Sequence, residues 1–149
     1  MNESISQFRA RGGSRPRRAL PTLRAVTLPR DDRLLLLHNP RCSKSRAARE
    51  LLEARGVAFE ERRYLEAPLT PDELADLRAR LGPEAAWVRR GEPAWAQAGL
   101  PAEPAPEALL DAVAVHPILL ERPILVRGPR AVVGRPPERV LELVQEGTF

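Results

Sequence analysis

The chain has 149 residues, the size of one ordinary globular domain, and a fold of that size buries about two-thirds of its unfolded surface. Its formal net charge of +4 is concentrated at one end, where residues 1–30 hold seven arginines against Glu3 alone. The remainder is slightly acidic, which excludes a basic nucleic-acid-binding stripe on the folded domain. No apolar run approaches the roughly 20 residues of a spanning helix, so no membrane insertion is expected.

Residues 1–30 are polar, interrupted by Pro16, Pro21 and Pro29, and without apolar periodicity. They read as a disordered basic N-terminal extension, leaving 31–149 as the folded domain. Leu34 to Leu37 is a short apolar run suited to a strand buried on both faces, ended by His38-Asn39-Pro40. From Ser43 to Arg55, Ala47, Ala48, Leu51, Leu52 and Ala54 fall at helical spacing and Gly56 stands at the C-terminal cap position. Val57 to Tyr64 alternates apolar and charged residues as a second strand. Thr70-Pro71-Asp72-Glu73 is a helix start with a capping box, and Leu74, Leu77 and Leu81 give its apolar stripe up to Gly82. Short helices over 84–90 and 93–98, a proline-rich connector over 101–106 and a helix over 107–115 make residues 70–116 wholly helical. Two strands then follow, Ile124–Val126 and Ala131–Val133, with a turn at Arg127-Gly128-Pro129-Arg130, and Pro136-Pro137 opens a last helix. This order, βαβ then a helical block then ββα, implies an α/β domain with a mixed sheet.

Cys42 is the chain's single cysteine, placed after the first strand and at the first turn of the following helix. Unpaired backbone N–H groups and the positive end of the helix dipole favour thiolate there, and His38, Arg41, Lys44 and Arg46 are candidate cations. One cysteine cannot form an internal disulfide, which argues against a disulfide-stapled secreted fold and for a reducing, cytoplasmic setting. The phosphatase spacing of Cys, five residues and Arg is absent because that position is Ala48, and Cys-x-x-Cys is absent because Ser45 stands second. An attacking Cys42 must therefore be resolved by a thiol from another molecule.

The stretch His38-Asn39-Pro40-Arg41-Cys42-Ser43-Lys44-Ser45-Arg46 resembles the active-site loop of the glutaredoxin-dependent arsenate reductase family. Further matching segments follow in that family's order: Tyr64-Leu65-Glu66, Val88-Arg89, His116-Pro117-Ile118-Leu119, Arg122-Pro123-Ile124 and Gly134-Arg135-Pro136-Pro137. The resemblance covers residues 33 to about 145. It implies a thioredoxin/glutaredoxin-like mixed sheet with a helical insertion, and reduction of arsenate to arsenite with glutathione as co-substrate and glutaredoxin as partner. It further implies Cys42 as nucleophile, His38 as the group tuning its ionisation, and Arg89, Arg122 and Arg135 as oxyanion ligands, with Asn39, Ser45 and Arg46 as further substrate-binding positions of the loop. Pro123 is implied as a cis proline beside the sulfur. Planar guanidinium groups suit a tetrahedral oxyanion because they make paired, charge-assisted hydrogen bonds.

His116, at a helix end before Pro117, reads as a structural residue, and Trp87 and Trp95 read as core. No cysteine–histidine cluster has metal-ligand spacing and no bound cofactor is expected. Two competing readings share the fold: an Spx-like transcription regulator acting on RNA polymerase, disfavoured by the single cysteine, and a thiol oxidoreductase with a different substrate.

Overall fold

A computed structural model describes residues 28–83 and 85–146. Its elements are β1 (Leu35–His38), α1 (Ser43–Ala54), β2 (Glu60–Arg63), α2 (Pro71–Leu81), α3 (Pro93–Ala98), α4 (Pro106–Val115), β3 (Ile124–Arg127), β4 (Arg130–Val133) and α5 (Leu141–Glu146), with single 3-10 turns over Pro117–Leu119 and Pro137–Val140. The four strands form one mixed sheet in the order β2-β1-β3-β4. β1 runs parallel to β2 through the α1 crossover, with His38 opposite Arg63, and antiparallel to β3. The helical block α2–α4 is inserted between the parallel pair and the β3–β4 hairpin.

Strand alternation divides the core between the two faces of the sheet. Leu35 and Leu37 of β1 join Ile124, Val126, Ala131 and Val133 against α2 and α4, while Leu34 and Leu36 join Leu125 and Val132 against α1 and α5. The Leu34–Leu37 run is thus apolar on both sides because both sides are covered. The capping box forms as expected: the Thr70 hydroxyl accepts from the Glu73 N–H at 3.1 Å, and the Glu73 carboxylate accepts from the Thr70 N–H at 3.0 Å.

Several expectations are corrected. Residues 85–90 are not helical: Val88 bridges Leu120, the Trp87 carbonyl accepts from the Glu121 N–H at 2.8 Å, and the Arg89 N–H donates to the Leu119 carbonyl at 2.7 Å. Gly82 at φ +93 and Pro83 end α2, and the chain then lies extended against the segment leading into β3, so residues 70–116 are not wholly helical. The second strand spans Glu60–Arg63 rather than beginning at Val57. The last helix begins as a 3-10 turn before α5. Of the expected extension, residues 1–27 lie outside the described residues, but Leu28 and Pro29 are buried. Leu28 packs in the core, and the Pro29 carbonyl accepts from the buried Arg80 guanidinium at 2.8 Å, so the packed domain begins by residue 28. Trp87 is a core residue, Trp95 packs against the core with Arg90 stacked 4.8 Å over its ring, and His116 caps the end of α4.

Candidate active site

The loop from β1 to α1 is built from its own side chains. The Asn39 N–H donates to the Ser45 hydroxyl at 3.2 Å, the Asn39 Oδ1 accepts from the Arg41 N–H at 3.0 Å, and Arg46 Nη1 donates to the Pro40 carbonyl at 2.9 Å. Asn39, Ser45 and Arg46, expected at the substrate, are therefore seen holding the shape of the loop. That shape makes Cys42 the N-cap residue of α1, with φ −96° and ψ 126°.

Partial burial of Cys42 opposes ionisation, but the Ser45 N–H, the Arg122 guanidinium and the Lys44 N–H together outweigh it and hold the thiol below its ordinary value. Arg135 completes the surroundings, with Nη2 3.8 Å from the sulfur. The sulfur is thus flanked by two guanidinium groups and the open end of a helix, an arrangement that stabilises a thiolate and receives an anion.

Two glutamates, which the sequence did not single out, organise the arginines. One oxygen of Glu121 accepts from Arg89 Nη1 at 2.8 Å and from the Arg122 backbone N–H at 3.1 Å, and it forms an ion pair with Arg135, whose Nε lies 3.0 Å away. Glu92 pairs with Arg89 Nε at 2.9 Å and with Arg122 Nη1 at 3.6 Å. Arg135 Nε also donates to the Arg122 carbonyl at 2.9 Å, which leaves the outer edge of its guanidinium turned toward Cys42. Arg122 and Arg135 therefore meet the sulfur directly, whereas Arg89 joins through the two carboxylates. Glu121 immediately precedes Arg122-Pro123, and Glu92 follows Arg89 by three residues.

The Arg122–Pro123 peptide bond is cis, as the resemblance implied, and Arg135–Pro136 is also cis. Gly134 packs against this ring: a Cβ there would stand 2.9 Å from Pro123 Cγ and 2.9 Å from Val140 Cγ1. His38, implied to tune the ionisation of Cys42, is the last residue of β1. Its ring is fully buried, neither nitrogen has a hydrogen-bond partner, and burial holds it below the usual histidine range. Burial thus disfavours the charged imidazole that would stabilise a Cys42 thiolate. Among the described residues no group of three His, Cys, Asp or Glu side chains could hold a metal ion, and no helix is long and apolar enough to cross a membrane.

With the loop, the arginines and the cis proline in place, comparison with known proteins is decisive. The ArsC family model matches residues 37–143. The chain belongs to the ArsC family. It is 45% identical over 108 residues to an arsenate reductase of Neisseria meningitidis serogroup B, covering 70% of this chain and 92% of that protein. To an arsenate reductase of Escherichia coli K12 it is 35% identical over 121 residues, covering 78% and 86%. Among solved structures, an arsenate reductase from Vibrio cholerae superposes with a TM-score of 0.71 at 39% identity, covering 76% of this chain and 98% of that one. The mixed sheet with its helical insertion is the thioredoxin-like α/β fold of these ArsC proteins.

Proposed function

We propose that this ArsC-family chain reduces arsenate to arsenite, with Cys42 as nucleophile, glutathione as co-substrate and glutaredoxin as partner, in a reducing compartment such as the cytoplasm. The observation that carries the reading is the placement of Arg122 and Arg135 around a stabilised Cys42 sulfur at the start of α1. The thiolate attacks arsenic and one oxygen leaves as water, giving a Cys42–As(V) bond. Glutathione then replaces a second oxygen, which also leaves as water. A glutaredoxin thiol attacks the glutathione sulfur, the As–S bonding pair stays on arsenic as As(III), and a glutathione–glutaredoxin disulfide departs. Hydrolysis of the remaining Cys42–As(III) bond frees arsenite and restores the thiol. Two external thiols supply the two electrons, as a chain with one cysteine requires.

Arsenite production by the purified protein with arsenate, glutathione and glutaredoxin tests the reading. Activity should depend on both thiol reagents, and Cys42→Ser should reduce it to background without loss of fold. No arsenite from the wild type, or undiminished turnover in Cys42→Ser, would overturn it.

A further inference from the structure

Tyr64 is used by nothing described so far. In the parallel register Arg63 lies opposite His38, so Tyr64 and Asn39 leave the sheet side by side, and Tyr64 stands at the root of the loop that carries Cys42. The residue is fully buried and, although the Asn39 side chain acts on the phenol oxygen as a donor, its hydroxyl proton has no acceptor. Arg122 Nε, on the guanidinium beside Cys42, is a second buried donor without an acceptor. Buried polar groups are normally paired because leaving them unpaired forfeits their hydration, and phenylalanine would fill the same space without that cost. Tyr64 and Arg122 thus hold two unpaired buried donors at the Cys42 loop, a pair suited to a ligand that presents acceptor oxygens; the other unpaired buried atoms among the described residues are the two ring nitrogens of His38.

We propose that the Tyr64 hydroxyl donates a hydrogen bond to an oxygen of the tetrahedral oxyanion at Cys42, sharing that inner oxygen with Arg122 Nε, and is thus a substrate-binding residue. The inference rests on the oxyanion reading of the site and names a further donor within it. No proton is transferred: the hydroxyl remains protonated and orients the anion, while Arg135 meets it from the outer side. Burial pushes Tyr64 up to about 12 even though Arg122 and Asn39 oppose the rise, so it is a donor throughout the physiological range. An arsenate oxygen accepts such a bond, whereas a thiol has no oxygen to do so.

Tyr64→Phe removes the oxygen and keeps the ring. The variant should fold with an unchanged or raised Tm and alkylate at Cys42 like the wild type, while kcat/KM for arsenate falls roughly 10- to 100-fold, as expected for a hydrogen bond to a charged group. Protection of Cys42 against iodoacetamide by arsenate or phosphate should weaken by a similar factor. Because the chain has one tyrosine, ring-labelled tyrosine gives a single resonance, which should move when phosphate is added to the wild type. If the wild type reduces arsenate but Tyr64→Phe matches it within twofold and the resonance stays still, a water satisfies the hydroxyl and the inference is overturned while the reductase reading stands. If the wild type neither reduces arsenate nor is protected by any oxyanion, the reductase reading fails and takes this inference with it. Oxyanion protection that is lost in Tyr64→Phe supports the inference even where no arsenite is made.

Discussion

The Cys42 loop and the arginine–glutamate network converge on one sulfur but are held in opposite ways. Every bond that shapes the loop joins residues no more than six apart, and much of the stabilisation of the thiolate comes from backbone N–H groups at a helix start. The network draws on residues 89, 92, 121, 122 and 135, contributed by the extended segment after α2, the approach to β3 and the exit from β4. Its charges are held by other charges, and their positions depend on the whole sheet and helical block. The loop is therefore a local device that fixes what the sulfur is, while the network is a tertiary device that fixes what the sulfur meets. Substitutions in the two should separate thiol reactivity from anion use.

The largest separation is expected at Arg122 and Arg135. Lysine keeps the charge but loses the paired geometry, so each Arg→Lys change should cost about 1.5–3 kcal/mol in kcat/KM for arsenate, or roughly 10- to 150-fold. The two should then differ in iodoacetamide titration. Arg122 contributes directly to lowering the Cys42 thiol, so Arg122→Lys should shift the alkylation midpoint upward. Near-wild-type arsenate kinetics in both variants would make the network structural and leave the loop as the whole site.

A smaller and opposite effect is expected at Glu121. Its carboxylate, with a side chain only 16% exposed, accepts from the Arg89 guanidinium and the Arg122 backbone N–H and is ion-paired with Arg135. Glu121→Gln retains one acceptor but leaves the arginines less compensated, and chemical denaturation should register a loss of about 1–2 kcal/mol. Removing a negative charge next to the arginines strengthens the positive field at the sulfur, so the Cys42 alkylation midpoint should fall. A midpoint that rises instead would mean that Glu121 acts mainly by positioning Arg135 rather than through its charge.

The contrast also explains what could be read from the chain. β1, α1, the Thr70–Glu73 capping box and the β3–β4 hairpin are legible because short-range pattern and turn chemistry determine them. Cys42 and the loop residues are legible for the same reason. The extended 85–90 segment was not, since its apolar and charged residues fit a helix equally well and only pairing of Val88 with Leu120 decides otherwise. Glu92 and Glu121 are two acids among 20, and nothing local marks them as the acceptors for arginines up to 32 residues away. Tyr64 was noticed as part of a matching segment, but its orphan hydroxyl is a property of burial that no motif carries.

His38 tests the same boundary with the smallest expected effect. Adjacency to Cys42 made it a candidate cation, but β1 is the central buried strand, and its last side chain is enclosed with it. Burial is the leading cause of its lowered pKa, partly opposed by Glu61 and reinforced by Arg49, Arg63 and Arg46. With the folded value below the ordinary 6.5, the unfolded chain binds the proton more readily than the folded one. The stability contribution of neutral His38 is therefore complete above about pH 6.5 and is lost as the pH falls through the lower, folded value. Chemical denaturation between pH 7.5 and 5 should show the wild type losing more stability than His38→Gln, which has no titrating ring. The Cys42 alkylation midpoint should be the same in both proteins. An upward shift of that midpoint in His38→Gln would restore His38 as the tuning group and would move part of the thiolate's stabilisation from the helix start and Arg122 to a charged imidazole.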